Sequence, residues 1–104
     1  MVDGYRNEAV TVNTVGTTPA GATLAPDRLG RRISWYVKNL GAGTVDIFMG
    51  ENKVLTLNAG DYNLSVQGFV NDSNEDKYRC WQQAIRAIAS ADGTSVIVSE
   101  RLEL

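Results

Sequence analysis

The chain of 104 residues has no histidine, one cysteine, two prolines and no apolar run long enough to cross a membrane as a helix. Each scarcity narrows the chemistry. Without histidine, the commonest general base, the usual activator of a catalytic serine or cysteine and the commonest metal-binding ring are all missing. Cys80 alone can close no disulfide within the chain and cannot build a cysteine-based zinc site. Beside Trp81 it reads as a small, partly buried core residue. A basic surplus is missing as well: 10 Lys and Arg face 12 Asp and Glu for a net charge of −2. No direct contact with nucleic acid is therefore expected. The opening MVDGYRNEAV lacks the charged-then-apolar order of a signal peptide, and no membrane association is expected.

What is present favours strands. Ten glycines accompany abundant Thr, Val and Ser, a balance that suits an all-β fold. Hydrophobic residues make up 43% and charged residues 21%, ordinary for one folded domain with a single core. The organising stretch runs from Arg31 to Leu57. Ile33, Trp35 and Val37 alternate with Ser34, Tyr36 and Lys38, and Val45, Ile47 and Met49 alternate with Thr44, Asp46 and Phe48, the period-two pattern of half-buried strands. Leu40-Gly41-Ala42-Gly43 supplies a tight reversal, so the two strands are expected to pair antiparallel. Gly50-Glu51-Asn52-Lys53 is a second turn, leading to a third strand with Leu55 and Leu57 on one face.

Residues 1–8 are polar and read as a flexible N-terminal arm, leaving residues 9–104 as the folded domain. Val10 and Val12 mark a first strand. Both prolines fall between Gly16 and Gly30, which leaves Ala22-Thr23-Leu24 as a short strand suited to a sheet edge. Tyr62, Leu64 and Val66 alternate again. The string Asn71-Asp72-Ser73-Asn74-Glu75-Asp76 is a polar loop; counted from Asp72, Lys77 and Gln83 stand where a calcium-binding EF-hand loop needs glycine and glutamate. Tyr78 to Ser90 fits a helical stripe through Trp81, Ile85 and Ile88, but its second half is better read as a strand. Asp92-Gly93 is the dipeptide of a type I′ turn, and Ser95 to Ser99 is a β-branched run that would pair with Ala84 to Ser90 as a hairpin. Leu102 and Leu104 extend that last strand. The total is about seven or eight short antiparallel strands, expected to form a small single-domain β-sandwich or jelly roll.

No reaction is encoded in recognisable form. Asp46 with Asp61, or Glu100 with Glu103, are the carboxylate pairs available for acid and base roles, and surface charge accounts for them more simply. Gly41-Ala42-Gly43 joins strand to strand and is no phosphate cradle. The protein is expected to be no enzyme and to carry no cofactor or metal. Arg28, Arg31 and Arg32 read as solvated charge at the start of a strand or as a contact for an acidic protein partner. Tyr36 and Phe48 are expected on adjacent strands, on the face opposite Trp35. Burial under a second layer, a protein contact and a sugar platform remain open for them.

Asn39-Leu40-Gly41-Ala42-Gly43-Thr44-Val45, Leu57-Asn58-Ala59-Gly60-Asp61 and Ala87 to Glu100, following a weak polar arm, resemble the small virion proteins of tailed bacteriophages. The similarity spans Arg31 to Glu100 and rests on turn chemistry around strands. It implies a decoration, cement or fibre-base protein, made in the host cytoplasm and seated on the outer capsid surface. Such proteins typically form trimers at capsomer junctions and bind the major capsid protein. On this reading Tyr5 and Arg6 of the arm, together with Arg28, Arg31, Arg32, Tyr36 and Phe48, are the candidate protein-contact residues. The rival expectation is a receptor- or carbohydrate-contacting domain of a tail or head fibre.

Overall fold

The computed structural model of the chain describes residues 3–18, 20–29, 31–63 and 82–103. These form seven strands: β1 (Asp3–Val12), β2 (Ala22–Ala25), β3 (Arg32–Asn39), β4 (Val45–Met49), β5 (Asn52–Leu57), β6 (Ile85–Ala89) and β7 (Thr94–Glu103). A three-stranded sheet, order β1-β7-β3, faces a four-stranded sheet, order β2-β6-β4-β5, and every pairing is antiparallel. The protein is a small all-β sandwich. The alternation seen in the sequence does the sorting: Trp35, Val37, Val45, Ile47, Leu55, Leu57, Ile85, Ala87, Val96 and Val98 all turn inward and are buried.

The β4–β5 hairpin forms as expected. Met49 pairs with Asn52 across a two-residue loop, and Gly50 takes φ 64° at the first loop position, as a type II′ turn requires. Ala22 to Ala25 is an edge strand, β6 occupies the second half of the Tyr78–Ser90 segment, and β7 runs on through Leu102. Gly21, at φ 59°, brings β2 onto β6 so closely that a Cβ there would collide with the Ala87 carbonyl.

Two expected hairpins do not exist. β3 pairs with β7, whereas β4 lies in the other sheet between β6 and β5. Side-chain chemistry in the connection explains the crossing: Asn39 Nδ2 donates to the carbonyls of Gly43 and Leu57, and Asn39 Oδ1 accepts from the Gly41 amide. These bonds carry the chain from one sheet to the other. The Asp92-Gly93 turn likewise joins β6 of one sheet to β7 of the other. Gly93 has the positive φ (71°) the dipeptide suits, but the Asp92 carboxylate holds the Thr14 amide and the Thr17 hydroxyl instead of closing a hairpin.

Two further expectations change. Of the residues expected as an arm, Asp3 to Glu8 belong to β1, which pairs with β7 in unbroken register from Asp3–Glu103 to Val12–Thr94; residues 1–2 lie outside the described residues. Their polarity reflects an outward face and a charged interior, which composition alone does not distinguish from disorder. In β3 the register with β7 shifts between Arg32 and Ser34, so Ile33 is only partly buried and Arg32 takes the inward place with no exposed surface. Of the expected strand at Tyr62, Tyr62 bridges Lys38 and Asn63 bonds to Val37, and the remainder from residue 64 lies outside the described residues. So do Cys80, Trp81, the polar loop at residues 71–76 and the first part of the helix-or-strand segment.

Candidate functional site

β7 presents Thr94, Val96, Val98 and Glu100 inward in turn, all buried. Strand periodicity thus delivers a carboxylate into a core position, where it requires compensation by charge and hydrogen bonds. Three arginines supply it. Arg6 of β1 reaches Glu100 Oε1 at 3.0 Å, Arg28 of the loop before β3 reaches Oε1 at 2.6 Å and Oε2 at 3.0 Å, and Arg32 of β3 donates its Nε to Oε2 at 2.8 Å. The guanidiniums are then tied to backbone: Arg6 to the Leu24 carbonyl, and Arg32 to those of Gln83 and Pro26. The Gln82 side chain accepts from the Arg32 amide and donates to its carbonyl. One carboxylate thereby gathers β1, β3, β7 and the segments flanking β2 and β6.

Burial works to raise the Glu100 pKa, but the hydrogen bonds from Arg28 and Arg32, with their charges, outweigh it and hold the carboxyl below the ordinary range. The same Glu100 hydrogen bond raises Arg28 further. Glu100 is an anion whose two oxygens are both occupied. Of the other carboxylates weighed as acids or bases, Asp46 accepts the Thr56 hydroxyl at 2.6 Å and Asp61 accepts the Asn58 amide at 3.0 Å.

Arg6, Arg28 and Arg32 therefore come together on an internal carboxylate, Arg32 with no exposed side chain and Arg28 and Arg6 with 16% and 24% exposed. Arg31 is exposed and meets the cluster at the Arg28 carbonyl, to which its backbone amide donates at 3.1 Å and its Nε at 3.4 Å, and not at Glu100. Leu29, between them, is 83% exposed and takes φ 54°, a left-handed conformation disfavoured for a branched side chain. Its amide is held by Asp27.

The aromatic pair is separated. Because β3 and β4 lie in opposite sheets, Tyr36 and Phe48 occupy opposite outer faces of the sandwich. Phe48 lines a small pocket of about 130 Å³ with Gly50, Glu51, Arg86, Ala87 and Ile88. Tyr36 leans on Tyr62, ring centroids 5.6 Å apart and tilted by 35°. It also shares a shallow groove of about 230 Å³ with Tyr5, Ser34, Ser99 and Arg101. Tyr5 is 77% exposed. The outer face of the β1-β7-β3 sheet thus carries Tyr5, Tyr36 and Tyr62, a grouping that depends on Tyr5 lying in a strand.

The sequence reading missed Glu100 as the centre of the cluster. Its signal was there: a glutamate on the inward parity of Val96 and Val98, in a chain with arginines at 28 and 32. Asn39 and Asn63, both fully buried, carried no such signal. Against this geometry, no protein-family model and no curated protein sequence matches the chain.

Proposed function

We propose that the protein is a bacteriophage virion structural protein of the decoration or cement class, which binds the outside of the head and stabilises it through protein–protein contacts. The observation that carries this reading is the outer face of the β1-β7-β3 sheet. Tyr5 stands 77% exposed there beside Tyr36, while Arg6, Arg28 and Arg32 turn to Glu100. Tyrosines held on a rigid sheet offer large amphipathic contact area at little entropic cost. The major capsid protein is the proposed partner. Within this reading the N-terminal segment contributes as a strand carrying Tyr5.

Immunogold labelling of particles purified from cells in which the gene is expressed during infection tests the assignment. Label over the head, lost with Tyr5→Ala/Tyr36→Ala although the variant stays folded, is the expected result. Particles without the protein would overturn it. A fibre domain that contacts carbohydrate is the second reading, and the hydroxyls of Ser34 and Ser99 beside two tyrosines favour it. Label confined to fibres, with glycan binding that the same substitutions abolish, would establish that reading instead.

A further inference from the structure

Among the described residues the two sheets have four edges, and they are treated differently. β3 is covered: Asn63 donates its amide to the Val37 carbonyl and accepts from the Val37 amide, while Tyr62 bridges Lys38 and the Asn39 amide donates to Asp61. β2 has only four residues and a register shift between Thr23 and Ala25, and Arg6 occupies its Leu24 carbonyl. β5 carries Lys53 and lies across a register shift from β4. Short length, irregularity, charged side chains and covering segments are the usual protections against edge-to-edge association. Of these β1 has only charged side chains, and Arg6 and Glu8 already offset each other within the strand. It is ten residues long, contains neither proline nor lysine, keeps unbroken register with β7 and, among the described residues, pairs with no strand on its other side.

We propose that the free edge of β1 is the interface for a second copy of this chain, paired antiparallel about a two-fold axis at Asn7, so that the two three-stranded sheets become one of six. The charges on the strand select this register. A two-fold perpendicular to the sheet sets some residue opposite its own mate. Centred on Arg6 it opposes two arginines, and centred on Glu8 it opposes two glutamates. Centred on Asn7, each Arg6 lies opposite the other copy's Glu8, and each Tyr5 lies over the other copy's Ala9. Opposite charges directly across an antiparallel pair stabilise it, and like charges destabilise it. Arg6 and Glu8 already form a 2.7 Å ion pair within the strand, with Glu8 still 55% exposed, so the second copy completes a ring of four alternating charges. Past Val12 the edge is closed, because the Asn13 carbonyl accepts the Ala89 amide. The pairing segment is therefore Asp3 to Thr11. This inference stands apart from the virion assignment, and its symmetry is two-fold where the resemblance implied a trimer.

Cysteine cross-linking in a Cys80→Ser background tests it. Opposed Cα atoms across an antiparallel pair lie about 4.5–5.5 Å apart, within disulfide reach. Asn7→Cys should therefore oxidise to a covalent dimer. Thr11→Cys, about 27 Å from its own mate in this register, should stay monomeric. Sedimentation equilibrium of the unmodified chain should give twice 11.3 kDa, and Glu8→Lys, which faces each new lysine with an arginine, should weaken association about tenfold. A monomeric or trimeric mass, or cross-linking of Thr11→Cys as ready as that of Asn7→Cys, would overturn the proposal.

Discussion

β3 ends in two different kinds of polar closure, about 23 Å apart along the strand. At Arg32 the interior is sealed by charge: one carboxylate and three guanidiniums, drawn from positions 68 to 94 residues away from Glu100. At Asn39 it is sealed by an uncharged amide, bonded to groups 2, 4 and 18 residues away. Among the described residues neither end leaves a buried side-chain nitrogen or oxygen without a partner. The two ends therefore differ in reach and in charge, not in satisfaction. The amide shapes one crossing between sheets, whereas the carboxylate fixes which distant segments are neighbours at all.

The largest effect should come from removing the centre of the charged end. Glu100→Ala removes the carboxylate that pairs with Arg32, which is fully buried. Breaking a buried ion pair in this one-sided way costs about 3–5 kcal/mol, a large part of a small domain's stability. Urea titration should show the midpoint falling accordingly. Asn39→Ala removes three hydrogen bonds but strands only neutral backbone groups near a loop, so a loss of about 1–3 kcal/mol is expected. If the Asn39 variant proved the less stable of the two, the ranking of charge over amide would be wrong.

Acid separates the ends next. Glu100 has a folded-state pKa lowered from the ordinary 4.5. Its contribution is therefore fully present above the unfolded value and is lost as pH falls through the folded one. Thermal melts of the parent should lose stability below about pH 4.5, where unfolded carboxylates begin to take up protons. Glu100→Gln should flatten part of that slope, while Asn39→Ala should leave it unchanged. The Asp92 carboxyl, lowered first by the Thr14 amide and then by the Thr17 hydroxyl, has the same sign and sets a residual slope in both variants. An unaltered slope in Glu100→Gln would show that Glu100 does not govern the acid response.

Much of the strand pattern was legible in the sequence, because alternation is a local property. Trp35 and Val37, Val45 and Ile47, and Leu55 and Leu57 could be assigned to inward faces from spacing alone, as could β6 and β7 from their β-branched and turn residues. Sheet membership was not legible. Gly41-Ala42-Gly43 and Asp92-Gly93 have the composition of hairpin turns, and only Asn39 meeting Leu57, or Asp92 meeting Thr14, shows that each crosses between sheets. The site failed for a related reason. Arg28, Arg31 and Arg32 look like one cluster in sequence, yet the bulge at Ile33 turns Arg32 inward while Arg31 stays in solvent. Tyr36 and Phe48 form one patch only if their strands are neighbours, and β3 and β4 lie in different sheets.

Within the charged end itself the arginines should not be equal, and the smallest predicted effect tests this. Arg6 side-chain exposure is 24%, against 0% for Arg32, and Arg6 shares its charge between Glu100 and the exposed Glu8. Water and salt already screen part of its attraction. Once it is gone, Glu100 keeps Arg28 and Arg32 on both oxygens. Arg6→Ala should therefore cost about 1 kcal/mol, and the loss should shrink further in 1 M salt. Removing Arg32 instead deprives a buried carboxylate of its innermost donor, which salt does not reach. Equal, salt-insensitive losses from the two substitutions would mean that Arg6 is as much part of the sealed interior as Arg32. In that case β1 is held by its charge and not chiefly by its ladder to β7.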